Sequence, residues 1–348
     1  MTRDSGYDLL RTLAILLVFV DHAVSRHATD HGVLIAIHSL SPGLTMSALG
    51  CLSGLLLAHQ YRDPGTFVIR RLTRLYLPLW LCMAFLLAWH GWLGERIAHP
   101  HALIHLLGLS AALDLTGVKN VAVIGAGLWF VTVILLLSLL LPLFHVLFKS
   151  RAGLLILGFM VLACAVLDKF VGAQSTWNVV ISFAVGVYLV VNEKVWRFRV
   201  MPTYWAVMGF ILLIGLAACA TTRLIPYEVR SLLYGLYPLV AIPLCVGLAS
   251  VLPRSLLTAS GIFAAFSYEF YLLHSSVMDL EWWPQLPQLI GMPAAIGVAF
   301  VLTVALAYVI SRLASSLRQI VERSLMPGKG PEKGTQEEPV RPRIHVGT

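Results

Sequence analysis

The sequence predicts an all-α, polytopic integral membrane protein of about ten transmembrane helices, with both termini in the cytoplasm. Three observations predict it. Of 348 residues, 58% are hydrophobic and only 12% charged, whereas a soluble domain carries about 25% charged residues. The apolar residues fall into runs of spanning length. The basic residues gather between alternate runs.

A spanning helix needs roughly 20 mostly apolar residues. Runs of that kind occupy 8–27, 34–58, 74–93, 126–148, 153–170, 177–193, 203–222, 231–251, 260–280 and 291–313. The piece 102–117 is too short to cross and reads as a re-entrant or interfacial segment leading into Trp129. With the N-terminus in the cytoplasm, 19 of the 25 Lys and Arg residues lie on the cytoplasmic side and 6 outside. This is the positive-inside distribution, and it requires an even number of crossings. The net charge of +8 is thus mostly topology, and no nucleic-acid partner is expected. The first apolar run ends in Asp21-His22 with no small-residue cleavage site, so it reads as a retained helix. Five cysteines lie inside apolar runs without metal-type spacing and read as packing residues. The expected domains are a membrane domain over 1–326 and a cytoplasmic tail over 327–348, which is rich in Pro, Gly and charge and so expected to be disordered. No soluble domain is expected after it.

Polar residues inside the apolar runs carry the functional signal, because an ionisable group at membrane depth costs several kcal/mol and is by default a functional candidate. Arg11 and His22 are eleven residues apart in the first run. That is about three helical turns, so they share a face and are separated by roughly 16 Å along the axis. His22 has the chemistry of a general base, or of a group that carries an acyl substituent. Asp21 points about 100° away and is not expected to orient the His22 ring. The bland alternative is an interfacial anchor and a satisfied polar residue.

The third run opens with Arg70, Arg71 and Arg74. Arg70 and Arg74 share a helical face, and the guanidinium fork suits phosphate recognition. Alone, this cluster reads better as an anchor for anionic lipid headgroups. Beside Arg11 it reads as a binding site for a phosphorylated donor. In the ninth run Ser267, Tyr271, His274 and Met278 fall on one face, and Glu269 on another, where pairing with a basic residue of a second helix is expected. Trp282 and Trp283, after Asp279 and Glu281, read as interfacial anchors. His27, His31, His38, His99, His101 and His105 raise a metal question, but nothing makes three ligands converge, and no metal is expected.

Several of these stretches resemble the membrane-bound acyltransferase-3 family of bacterial O-acyltransferases. Arg11 and His22 are similar to its Arg-x10-His pattern. Leu52-Ser53-Gly54 resembles its Ser-Gly element. Phe67, Arg70, Arg71, Arg74 and Pro78 resemble its arginine-rich loop. Leu128-Trp129-Phe130, followed by Pro142, resembles its Trp-Phe helix, and Ser267 to His274 its late Ser-Tyr…Tyr-Leu…His helix. Glu322 sits where the family often has a Glu before a Pro. The Trp129 helix lacks the polar residue that many relatives carry a turn or two later, Ser138 being the nearest.

The resemblance implies a multi-pass protein of the bacterial inner membrane and an acyl-CoA donor, usually acetyl-CoA, bound from the cytoplasm. The acceptor it implies is a hydroxyl of an envelope glycan or lipid-linked sugar. It places His22 and Arg11 in catalysis, Arg70, Arg71 and Arg74 on the donor, and Ser53, Trp129, Ser267, Tyr271 and His274 in the cavity lining. Membrane lipids, and in some systems polysaccharide-assembly proteins, are the other partners. Some relatives carry a fused periplasmic domain, so the transfer is expected to be completed either by the membrane domain or by a separate protein. A transporter of an anionic glycolipid or metabolite is the alternative from another class. It would favour repeated halves and matching Gly/Pro-broken spans, which this sequence does not show.

Overall fold

The computed structural model describes residues 4–25, 32–95, 97, 99–122, 124–125, 127–171, 175–194, 203–221, 227–278 and 286–325, the side chains at 24, 32–40, 203, 216–221, 227–228 and 230 excepted. The tail 327–348, His27, His31, the side chain of His38, Asp279, Glu281, Trp282 and Trp283 lie outside the described residues. Among those described there is helix and no strand.

In chain order the helices are α1 (Ser5–Ser25), α2 (Gly32–Gln60), α3 (Pro64–Trp92), α4 (Pro100–Leu106), α5 (Ala111–Leu115), α6 (Trp129–Leu139), α7 (Leu141–Lys149) and α8 (Gly153–Phe170). They continue with α9 (Thr176–Val191), α10 (Thr203–Thr221), α11 (Tyr227–Leu236), α12 (Pro238–Val251), α13 (Arg254–Met278), α14 (Leu286–Ile290) and α15 (Met292–Leu325). Six stretches are long and apolar enough to cross a membrane, and a seventh is added if α6 and α7 form one bent span. Among the described residues, each of the ten predicted runs contains helix. α1 carries Asp8, Arg11 and Asp21, and α9 is only 16 residues long, so neither is a spanning helix by length and composition alone.

Several boundaries differ from those read in the sequence, each for a physical reason. The third helix starts ten residues earlier than its apolar run. Asp63 caps it by accepting from the Thr66 amide at 2.9 Å, and Pro64 fits its first turn. The run 126–148 is a pair of helices bent by 53°. Pro142 has no N–H to bond the Ser138 carbonyl four residues back, which breaks the ladder there. The last helix runs on to Leu325, well past its apolar run.

The piece 102–117 forms α4, α5 and the turns around them. The Tyr76 hydroxyl donates to Leu107 O at 2.8 Å, and the Trp80 indole donates to Leu106 O at 2.9 Å. The tip of the segment is thereby held against the middle of α3.

Two close packings set the frame of the site. A Cβ on Gly54 would collide with Phe183 O, and one on Gly186 with Cys51 O. Small residues let α2 and α9 touch backbone to backbone, the usual way helices associate in lipid. The Thr12 hydroxyl donates to Ser260 O at 3.0 Å and ties α1 to α13. Phe19, Phe270 and Phe300 cluster above that tie, with ring centroids 5.5–5.7 Å apart.

Candidate active site

α1 shows two faces. Leu13, Leu17 and Val20 are exposed on one, as lipid-facing residues would be. Arg11, Ile15, Val18 and His22 follow the other at helical spacing, toward the interior of the bundle.

Arg11 and Ile15 line a cavity of about 510 Å³ between α1, α2, α3, α6, α13 and α15. Its wider end is charged. Arg71 and Arg74 come from α3 and Arg318 from α15, with Asp4, Asp8 and Glu269 among them. Its inner end is apolar and aromatic, formed by Ile15, Phe130, Ile134 and Tyr271. The lining residues of α1 run from Tyr7 to Ile15, roughly 12 Å of helix rise.

The arginines are held in different ways. Arg71 donates its Nε–H to Ser138 Oγ at 2.9 Å. Arg74 faces Glu269 and Glu322, which balance part of its charge, with Arg318 alongside. Thr73 secures Glu322 by donating to Oε1 at 3.1 Å. Arg74 is open to solvent in the cavity mouth, whereas Glu269 is buried beneath it. Arg74 and Arg318, on other helices, are the basic residues whose charge acts on Glu269, without a direct ion pair among the described residues.

Beyond the apolar end sits a second group. α13 is interrupted at Phe266, whose φ of −119° and ψ of 15° are not helical, and the turn re-aims Ser267 to His274. The Tyr271 hydroxyl donates to Gly127 O at 2.5 Å. His274 Nδ1 donates to the carbonyl of Tyr271 at 2.6 Å, because a carbonyl can only accept. The His22 and His274 rings lie 4.9 Å apart, and the Tyr271 and His274 rings 5.5 Å apart. Gly127, at φ +74°, lies against His22: a Cβ there would come 3.4 Å from its Cε1. Tyr271 therefore touches the cavity on one side and the histidine pair on the other.

Most of the residues singled out in the sequence meet here, though not all in the predicted places. Arg11, Arg71, Arg74, Ser53, Ser267 and Tyr271 line the cavity. Arg70 does not. It is one residue round the helix from Arg71, which turns it off the cavity face. Trp129 is buried at the start of α6, and its neighbour Phe130 supplies the lining. His22 and His274 stand outside the lining, and the His274 ring packs on Tyr271, which belongs to it.

Two further residues join the site that the sequence does not single out. Arg318 reads there only as a topological charge, and Tyr268 only as part of a motif. Tyr268 lines the cavity and donates to Leu75 O at 3.1 Å. A signal for Arg318 is present in the sequence. Ser311, Ser315 and Arg318 fall at i, i+4 and i+7, a polar stripe on a largely apolar helix, and all three reach the cavity.

A family model described as an acyltransferase domain matches residues 4–312. The match covers the site's other helices and ends within α15, short of Ser315 and Arg318. Neither the curated proteins nor the solved structures give a match.

Proposed function

This chain belongs to the acyltransferase-3 family of membrane acyltransferases, and on that premise we propose that it moves an acetyl group from cytoplasmic acetyl-CoA to a hydroxyl of a cell-envelope glycan or lipid-linked sugar. The observation that carries this reading is the cavity itself. It has arginines at its mouth, an apolar inner end, and two imidazoles directly behind Tyr271.

The donor's phosphates suit the mouth. Arg71, Arg74 and Arg318 offer guanidinium forks from two helices, and phosphate is best held by such charge-assisted bonds. The acyl-pantetheine arm suits the apolar interior. Arg11 lies in the donor chamber, roughly 16 Å from His22 along α1. Its role in this reading is to hold the donor, and the reacting carbonyl belongs to His22.

The chemistry assigned to His22 is proton transfer. It takes the proton from the attacking hydroxyl as the new C–O bond forms at the thioester carbonyl. The C–S bond then breaks, and the imidazolium gives the proton to the departing thiolate, so that CoA leaves as the free thiol. His22 is half-buried, at the end of α1 away from the arginines, where an acceptor can arrive from the other side of the membrane.

The remaining parts of the reading are ten crossings, cytoplasmic termini and residence in the bacterial inner membrane. The crossings and termini rest on the distribution of Lys and Arg, and the membrane assigned rests on the family. Polysaccharide-assembly proteins are natural partners for an enzyme that modifies envelope glycans.

The test is made in cells lacking the gene. Envelope glycans are saponified and the released acetate is measured. The wild-type chain restores the acetate, and His22→Ala, expressed at the same level in the membrane, does not. Acetate that is unchanged by deleting the gene, or fully restored by His22→Ala, would refute the proposal.

A further inference from the structure

Arg71 carries a neutral side chain, the Ser138 hydroxyl, on its Nε. We infer that Ser138 is a positioning residue for donor binding, acting through Arg71 by holding the guanidinium so that its terminal amino groups face the anionic part of the donor. The inference rests on the donor reading above.

The geometry follows from the bend between α6 and α7. Ser138 is fully buried one turn before Pro142. Its hydroxyl hydrogen is committed, since Oγ donates to Ile134 O at 2.5 Å. The lone pairs of the same oxygen are thereby turned away from Ile134, and one accepts the Arg71 Nε–H at 2.9 Å. A hydroxyl that donates to its own helix and accepts from a partner has a single hydrogen position, which makes it a directional acceptor. Back-bonding of this kind also bends a helix, and here it adds to the break that Pro142 makes.

The consequence for Arg71 is chemical. A guanidinium has five N–H groups and no acceptor. Occupying Nε removes the side-on mode, in which Nε and one terminal nitrogen share a phosphate. The four terminal N–H groups remain, and they favour end-on binding of a phosphate oxygen pair. A carboxylate at Ser138 would neutralise the arginine and weaken its pull on an anion. A serine orients it and leaves the charge intact. Arg74 is balanced by Glu269 and Glu322. Arg71 thus brings the less compensated charge to the donor.

The experiment measures acetyl-CoA binding to the full chain in nanodiscs, with thermal midpoints recorded for each variant. Ser138→Ala is expected to weaken binding about tenfold, the scale of one lost hydrogen bond to a charged group. Ser138→Cys, which keeps the volume but accepts poorly, is expected to do the same and serves if the alanine variant folds badly. Ser138→Thr restores the hydroxyl and is expected to restore binding. Arg71→Met weakens binding further, and adding Ser138→Ala to it costs nothing more, because the serine acts through the arginine.

Unchanged binding in Ser138→Ala and Ser138→Cys, with Arg71→Met still weakened, would overturn the positioning role and leave the donor reading standing. Additive losses in the double variant would also overturn it. Wild-type affinity in Arg71→Met would overturn the donor reading itself.

Discussion

The Tyr271 hydroxyl donates to the carbonyl of Gly127 at 2.5 Å, and the same side chain lines the arginine-bearing cavity and packs on His274. An extended pantetheine arm has about twelve bonds between phosphate and sulfur, roughly 15 Å at the rise per bond of an extended peptide chain. Arg71 to Pro78, the stretch of α3 that lines the cavity below the arginines, covers roughly 10 Å of helix rise. On the donor reading, phosphates resting on Arg71 and Arg74 would let the thioester reach beyond Pro78, toward the apolar lining that includes Tyr271. On this reasoning Tyr271 yields when the donor is bound and seals the chamber when it is not.

That relationship predicts the behaviour of Tyr271→Ala. Removing the ring joins the two compartments and lets water reach the thioester. Acetyl-CoA hydrolysis without acceptor is expected to rise several-fold while transfer falls, as read by release of free CoA thiol. Tyr271→Phe keeps the ring and loses only the hydroxyl's bond, for which ~0.6 kcal/mol is the average in a membrane bundle. Its uncoupled hydrolysis should stay near wild type. Equal hydrolysis in Tyr271→Ala and wild type would refute the sealing role.

Gly127 is predicted to be intolerant of a side chain. Its φ of +74° disfavours L residues by ~1–2 kcal/mol. An added Cβ would also press on His22 Cε1 at 3.4 Å. Gly127→Ala is expected to lower transfer by at least tenfold while acetyl-CoA still binds, because the donor's arginines lie at the other end of the cavity. Measuring both on one preparation checks this, and a loss confined to donor affinity would contradict it.

His22 and the arginines should separate in kinetics. His22 lies outside the arginine-lined cavity, so on the proposed function His22→Ala is predicted to lose 10²–10⁴-fold in transfer, the usual worth of a general base, with donor affinity kept within twofold. Arg318→Ala is predicted to do the reverse, raising KM for acetyl-CoA in a salt-dependent way with little change in kcat. A kcat defect in Arg318→Ala with unchanged KM would place that arginine in the chemistry instead.

The Gly54 contact predicts a structural defect with a different signature. A methyl group there meets Phe183 O, backbone that cannot move aside. Overpacking of this kind costs ~1–3 kcal/mol. Gly54→Ala should lower the thermal midpoint in detergent, whereas Ser53→Ala, at the cavity wall beside it, should leave the midpoint unchanged. A Gly54→Ala chain as stable as wild type would mean that α2 and α9 are not packed this closely.

Much of this is legible in the sequence, because the bilayer imposes simple rules. Apolar runs of spanning length locate the helices, and the shared face of Arg11 and His22 places both inside the bundle and not in lipid. The Arg71–Arg74 pair stands out because two charges at the start of an apolar run are conspicuous. The rest is decided by side-chain direction and by contacts distant in sequence. Helical spacing puts Arg70 and Arg71 on neighbouring faces, and only the packing of α3 against α6 and α15 selects Arg71. Ser138 is an ordinary serine until the Pro142 bend brings it to the Arg71 Nε. Tyr271 is tied to a loop carbonyl 144 residues away, which no local pattern encodes.

The measurement that bears most directly on the central claim is equilibrium binding of radiolabelled acetyl-CoA to the full chain in nanodiscs, compared across wild type, His22→Ala and an Arg74→Ala/Arg318→Ala double variant. Saturable binding by wild type and His22→Ala with matching affinity is predicted, with a loss of at least tenfold in the double variant. Absence of binding to wild type, or undiminished binding without those two arginines, would contradict the assignment of this cavity to the donor.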